Sequence, residues 1–412
     1  MFNTSGNPLQ IGWIDYSPEH RRKVMTVLQS LAAPGAVDEI GIGQIRDGFS
    51  HKLFPGTSTI QTRAKYFFLV PYILMELEKQ KNITPNALIQ KLNDMEFELI
   101  EPLLKSGEKG VIGETAGKNL KRKPSSVYWS GLKTFGIFRY PHLSLEDYAR
   151  AVCAVRKENL DIRSMGVSED VSSQGDDSDA AGTSLTGGFW RCPPPPENWR
   201  EHISIHLTYE EALHLKQCII RSSFSKDSLL AFLLQVEPEV FTALEDFDAI
   251  GEALELPESI RQDFEMARDF SRFIFGASLR YNLILSEGRN EKARQLWTEW
   301  LSSYFVTQRF EYYEPVAPMD YLQISNPALR RFLTQWKKYV LAGNEEDMDS
   351  LIVQREIDLK GRQRAKLRNS ALYSYKVGDG LRGGKLDFRY SYARDILTDI
   401  FKALEGSHAQ AG

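Results

Sequence analysis

Thr59-Ile-Gln-Thr-Arg63-Ala-Lys65-Tyr66-Phe-Phe-Leu-Val70-Pro71-Tyr-Ile-Leu-Met75-Glu-Leu-Glu-Lys-Gln80 is the stretch on which the fold turns. Its apolar positions Ile60, Tyr66, Phe67, Val70, Ile73 and Leu77 recur at helical spacing, so it predicts one long helix, kinked at Pro71 because proline lacks the amide donor. The most apolar part, Tyr66 to Leu77, is about twelve residues, whereas a membrane span needs roughly twenty. It is therefore expected to be a core helix, and no membrane partner is expected.

The flanking segments carry the same period. Ser17-Pro18-Glu19 supplies an N-cap, a proline in the first turn and an acidic residue, opening a helix to about Ala33. Ile40, Ile42, Ile45, Phe49 and Leu53 form a helical stripe, and Thr84-Pro85 opens a helix reaching about Lys105. Further on, Thr208-Tyr-Glu-Glu211 is a capping box for a helix to about Ser222. Helical periodicity returns at 257–286, 291–304 and 327–341, with a closing helix from Tyr392 to Leu404. Strand patterns are scarce and short, near Phe138 and at 387–390 after a Gly383-Gly384 turn. The expected fold class is mainly α.

The 412 residues carry a formal net charge of -4, with 42% apolar and 26% charged residues. This excludes a wholly disordered, collagenous or supercharged chain. The charge is uneven. Residues 1–150 hold 19 basic against 15 acidic residues, whereas 151–199 hold 4 against 8. Asn159 to Asn198 passes through Ser/Gly/Asp-rich sequence into Pro193-Pro-Pro-Pro, too polar to offset its ordering entropy and then stiff. The expected organisation is a basic helical domain over 1–158, a flexible acidic and proline-rich linker over 159–199, and a helical domain over 200–412. Cys153, Cys192 and Cys218 lie far apart without a Cys-x-x-Cys pair, and Met1 to Gln10 has no signal-peptide pattern, so a cytoplasmic protein is expected.

Two segments suggest chemistry. In Gly41 to Phe67, Pro55-Gly56 breaks a helix and Thr57, Ser58 and Thr59 can cap the next. A helix start with exposed amides and hydroxyls, followed by Arg63 and Lys65 and preceded by Arg46, could contact a phosphate. The plainer alternative is a capped corner in which Arg46 and Arg63 are salt-bridge partners. In Gly117 to Arg139, six basic residues stand without an acidic one: Lys118, Lys121, Arg122, Lys123, Lys133 and Arg139. Pro124-Ser125-Ser126 can start a helix stopped by Gly136, and its Leu-x-x-Phe-Gly-Ile ending resembles the close of a winged helix-turn-helix. On that resemblance Ser125, Ser126, Tyr128 and Lys133 face a groove while the upstream lysines neutralise phosphates. The alternative is a solvated basic loop ahead of a core helix. A third basic run, Arg355 to Arg389, reads as a solvated face or an acidic-partner contact.

Enzyme signatures mostly fail. Gly113-Glu-Thr-Ala-Gly-Lys118-Asn119 is one residue too short for a P-loop, and Asn119 stands where magnesium needs Ser or Thr. There is no Gly-x-Ser-x-Gly elbow and no His-Glu-x-x-His. His202, His206 and His214 are not expected to form a metal site, and the carboxylates from Glu237 to Glu255 lack the lysine of a nuclease centre. Trp297, Trp300, Tyr304, Tyr312 and Tyr313 could stack bases, but their spacing favours core packing. No cofactor, metal or catalytic residue is expected.

Trp13-Ile-Asp-Tyr-Ser17, the Gly41 to Tyr66 block, Pro124 to Ile137 and Gly384-Lys-Leu-Asp-Phe-Arg-Tyr390 together resemble one bacterial family, domain of unknown function 6361. The resemblance spans nearly the whole chain and carries over no catalytic residue, since the family has none assigned. It implies an accessory gene beside helicase and phospholipase-D-like nuclease genes in phage-defence islands. The expectation is a non-enzymatic, nucleic-acid-associated defence subunit with helicase or nuclease partners from the same operon. A cryptic nuclease or nucleotide-handling enzyme and a protein-interaction scaffold are the alternatives.

Overall fold

The computed structural model describes residues 38–80, 82–105, 107–117, 120–164, 188–369, 373, 375–376 and 378–406, without the side chains of 157–164. The helix expected over 17–33 lies outside these residues. The protein is mainly α, and among the described residues the β structure is a single isolated bridge, Phe138 to Trp190. Two compact units are each assembled from three segments. The smaller takes Met1–Gly43, Ala277–Trp300 and Gln335–Gly384; the larger takes Gln44–Gly276, Leu301–Thr334 and Lys385–Gly412.

The larger unit is built around α2 (Tyr66–Glu78), which follows α1 (Gly43–Leu53). Every residue from Tyr66 to Leu74 is buried, so α2 is apolar all round, as an interior helix must be. It begins at Tyr66, not at Thr59, and Ile60 is 37% exposed. The residues ahead of it are held by side-chain partners instead of by helical bonds. The Tyr128 hydroxyl accepts from Thr62 N (2.9 Å) and Arg63 N (3.1 Å) and donates to Arg63 O, while Ala64 N donates to Asp399.

Against α2 pack α3 (Pro85–Glu98) and α5 (Pro124–Thr134), and on α3 pack α4 (Ile100–Leu104) and α6 (Leu145–Ser164). Thr84 caps α3 through Ala87 N, as its Thr-Pro signal predicts. α5 crosses α2 closely at Gly131, where a Cβ would come within 2.7 Å of both Gly56 O and the Phe67 ring. It ends at Phe135, and Gly136 takes the left-handed conformation that stops it. Where the winged helix-turn-helix resemblance implied a short strand near Phe138, the chain makes the isolated Phe138–Trp190 bridge.

Residues 159–164 complete α6, and 165–187 lie outside the described residues. Phe189, Trp190 and Trp199 are buried, and the Trp190 indole donates to Glu78. The unit continues with α7 (Tyr209–Arg221), α8 (Leu229–Leu233), α9 (Pro238–Ala243), α10 (Phe247–Ala253) and α11 (Glu258–Leu285), whose last turns belong to the smaller unit. α13 (Ala317–Tyr321) and α16 (Tyr390–Glu405) complete it. The strand expected at 387–390 is replaced by a left-handed turn at Phe388 and Arg389 that opens α16, which packs on α7.

In the smaller unit, most of α12 (Glu291–Ser302), the second half of α14 (Pro327–Leu341) and α15 (Glu345–Lys360) supply the core, the first half of α14 belonging to the larger unit. Trp297 and Trp300 stack at 5.1 Å, and Trp336 is fully buried. These rings pack internally, whereas Tyr304 and Tyr312 are exposed. An ionic cluster, buried at Glu356 and Tyr281 and half-buried at Glu39, Lys360 and Lys366, joins these four charges to the Tyr281 hydroxyl. Arg355 donates to the Ile40 and Gly41 carbonyls, and Gly41 sits at φ +71 with Arg355 where a Cβ would be. Part of the third basic run is therefore interior structure and not a solvated face.

Candidate nucleic-acid interface

The corner expected to contact a phosphate is closed. Thr57 is 5% exposed and its hydroxyl donates to Phe54 O at 2.7 Å; its own carbonyl accepts from Arg389. Ser58 N is bonded to Gln61, and of the three hydroxyl residues only Thr59 is fully exposed. Arg46 pairs with Asp47 at 3.0 Å. Arg63 lies along Asp399 with Nε 3.1 and 3.0 Å from the two oxygens, and it also donates to Lys109 O. Lys65 is 7% exposed and its ammonium is 2.8 and 2.6 Å from the Glu211 oxygens. Carboxylates from α16 and α7 have neutralised both cations, and an anion there would face Asp399 and Glu211. The plainer reading, salt bridges at a turn, describes this corner.

The second basic segment divides into two groups. Lys118 lies outside the described residues. Lys121 and Arg122 are exposed just ahead of α5, and Lys123 lies over the Phe97 ring at 5.1 Å. Ser125 is not available to a groove: it is 2% exposed, and its amide and hydroxyl both donate to Glu96. Tyr128 is buried on the Thr62–Arg63 backbone, so it too faces inward. Of this helix only Ser126 and Ser130 are fully exposed. Burial pushes the Glu96 carboxyl up to about 7, against the pull of its Ser125 bonds and of Lys123.

At the other end of α5 the structure builds a groove. α5 has eleven residues and rises about 1.5 Å per residue, which places roughly 16 Å between its two cationic ends. Lys133 and Arg139 meet Arg191 and Arg221 along an open cavity of about 620 Å³. Gln217, Ser222, Phe224 and His214 also line it, and among the described residues no Asp or Glu does. Arg139, Arg191 and Arg221 are exposed and make no ion pair among the described residues, while Lys133 is half-buried. The isolated bridge holds this site together: Arg139 N donates to Phe189 O and Arg191 N to Ile137 O, at 3.0 and 2.7 Å. Ser222, at the end of α7, donates its hydroxyl to Thr134 O at the end of α5.

The electrostatics separate two kinds of cation. Lys133 and Arg221 occupy the last turns of α5 and α7, where positive charge complements the helix dipole. Arg139 and Arg191 have no such role. Cations gathered around one cavity whose described wall carries no carboxylate repel one another and favour a bound polyanion.

Cys218 and His214 lie on the same wall, the thiol 3.4 Å from Nε2. Burial pushes the Cys218 thiol up to about 11 despite Arg191 and Arg221 beside it, and burial raises Cys192 further. His214 Nε2 also lies 2.9 Å from Arg191 O, a bond that requires its proton. A nitrogen that donates to a carbonyl cannot take the thiol proton, so the pair is not arranged as an activated nucleophile. Groups of three or more His, Cys, Asp or Glu side chains placed to hold a metal ion are not found among the described residues.

Of the groove's cations the sequence singles out Lys133 and Arg139 but not Arg191 or Arg221, and it does not single out Phe224. Arg191 stands beside the proline run read as linker, and Arg221 ends a capping-box helix. No local pattern announces that these positions converge.

The model of a family described as a family of unknown function (DUF6361) matches residues 9–145, about one third of the chain. That span includes α1 to α5, the closed corner and two of the groove's four cations; Arg191, Arg221 and the Gly384 to Tyr390 block lie beyond it. Comparison with curated proteins and with solved structures finds no match. No helix among the described residues is long and apolar enough to cross a membrane.

Proposed function

We propose that this chain is a nucleic-acid-binding accessory subunit whose groove, lined by Lys133, Arg139, Arg191 and Arg221, holds backbone phosphates. One observation carries the reading: four cations line a single open cavity, three of them exposed, with no carboxylate among the described residues of its wall. Lys121 and Arg122 extend the positive surface beyond the far end of α5. The role is binding and not catalysis, because the groove's thiol is held neutral beside a histidine that donates elsewhere. The resemblance of the front of the chain to genes beside helicases and nucleases supports a place in anti-phage defence, with such enzymes as partners acting on the bound strand.

The test is retention of labelled DNA and RNA by the full chain over a salt series. Wild type should lose affinity steeply as salt rises, since phosphate contacts release counterions. Arg139→Glu with Arg191→Glu should abolish retention, and reversal of Lys121, Arg122 and Lys123 should flatten the salt slope. Retention that is insensitive to salt, or unchanged in both charge-reversed variants, overturns the proposal.

A further inference from the structure

Phe224 is 61% exposed, on the turn that follows α7, and its ring lines the cationic groove. The turn is not loose. Ser222 accepts from Phe224 N at 3.3 Å while donating to Thr134 O, and the Ser225 hydroxyl donates to Ile219 O at 2.6 Å. The backbone that carries this exposed apolar ring is thus fixed by a well-bonded turn, and the residue shares its cavity with Arg191 and Arg221 while contributing little to any core. An isolated exposed phenylalanine needs no explanation. One fixed at the edge of a groove whose charge selects phosphates does.

The nucleobase is the group that pairs with such a ring, because every base offers a flat π-face and stacking is tolerant of sequence. Bases in a duplex keep those faces against their neighbours. Reading a duplex would instead need long polar side chains on a helix entering the major groove. α5 presents only Ser126 and Ser130 fully to solvent, so it lacks them.

We infer that the groove takes single-stranded polynucleotide, with a base stacked on Phe224 and flanking phosphates held by Arg139, Arg191 and Arg221. This rests on the phosphate-binding role proposed above and adds the class of strand. DNA and RNA share the chemistry and are separated by running both.

The experiment is fluorescence anisotropy of the full chain with four probes: a labelled twenty-nucleotide oligothymidylate, its uridine counterpart, an abasic strand of equal length, and a twenty-base-pair duplex. Phe224→Ala should weaken binding to the base-bearing strands about tenfold, the scale of one lost stacking contact. It should leave the abasic strand unchanged, and Phe224→Trp should retain or tighten binding. The exposed position keeps either variant from disturbing the core. Equal effects of Phe224→Ala on based and abasic strands, no effect on either, or a duplex bound as tightly as a single strand would each overturn the inference while leaving the polyanion role standing. Poly-glutamate bound as tightly as the oligonucleotides, or no binding to any strand, would overturn both.

Discussion

Replacing Lys65 with Met should destabilise the larger unit by about 3–5 kcal/mol, the usual cost of removing one partner from a buried ion pair. Lys65 is 7% and Glu211 4% exposed. The carboxylate accepts two bonds from the ammonium, one from the Tyr72 hydroxyl at 3.0 Å, and one from Thr208 N at 2.8 Å in the capping box of α7. Methionine fills nearly the same volume, so the loss is electrostatic: a buried carboxylate keeps two donors but no counter-charge. Glu211→Gln should cost a similar amount, by leaving the ammonium buried without an anion. The double variant removes both charges and retains most of the cap, so it should cost only about 1–2 kcal/mol, less than either single change. Urea unfolding followed by circular dichroism measures all three, with hydrogen exchange over 64–72 as a local check. If Lys65→Met shifts the midpoint by the equivalent of less than about 1 kcal/mol, the ammonium is not committed to the fold and the closed-corner argument fails. If it leaves stability intact yet weakens nucleic-acid retention, Lys65 belongs to the interface after all.

Glu96 predicts a pH dependence. Burial raises its folded-state pKa from 4.5 to about 7, so the folded chain holds this proton more tightly than the unfolded one. The stabilisation is therefore complete below about pH 4.5 and is lost as pH rises through about 7. Glu96→Gln should gain stability relative to wild type between pH 5 and pH 8, approaching about 3 kcal/mol; an advantage that does not change with pH contradicts the burial argument. Gly131→Ala should cost about 1–3 kcal/mol or more, because the added carbon meets the Gly56 carbonyl, which is backbone and cannot swing aside. Thermal unfolding would show this, and an unshifted transition would mean that α5 and α2 can separate freely. Asp399→Asn removes the charge along Arg63 and should cost about 2–4 kcal/mol, read by the same urea titration; no change would make Arg63 a cation available to a ligand again.

The capping box at Thr208, the Thr84-Pro85 start, the Gly136 stop and the 327–341 helix were all legible, because caps and apolar period act within a turn or two of chain. So was the mainly α class, and so was the cationic character of Lys133 and Arg139. Position within the fold was not legible. Thr59 to Lys65 has the composition of a helix start with cations in reach, yet it forms an irregular segment pinned by Tyr128 and Asp399, residues 66 and 335 positions away from those they bond. The strand pattern at 387–390 lost to a left-handed turn closed by Asp387, whose carboxylate accepts from Arg389 N and Ser391 N while its carbonyl accepts from Tyr390 N.

Sequence alone thus determined the helical class, the limits of the well-capped helices, and which residues carry charge. Which of those charges remain free was decided only by tertiary structure. Arg63, Lys65 and Lys360 are matched to carboxylates distant in sequence or one helical turn away, and Arg139, Arg191 and Arg221 are left around a cavity with none among the described residues. The reason is that helix propensity and capping are local energies, whereas the pairing of a cation depends on which carboxylate the packed helices carry to within about 4 Å of it.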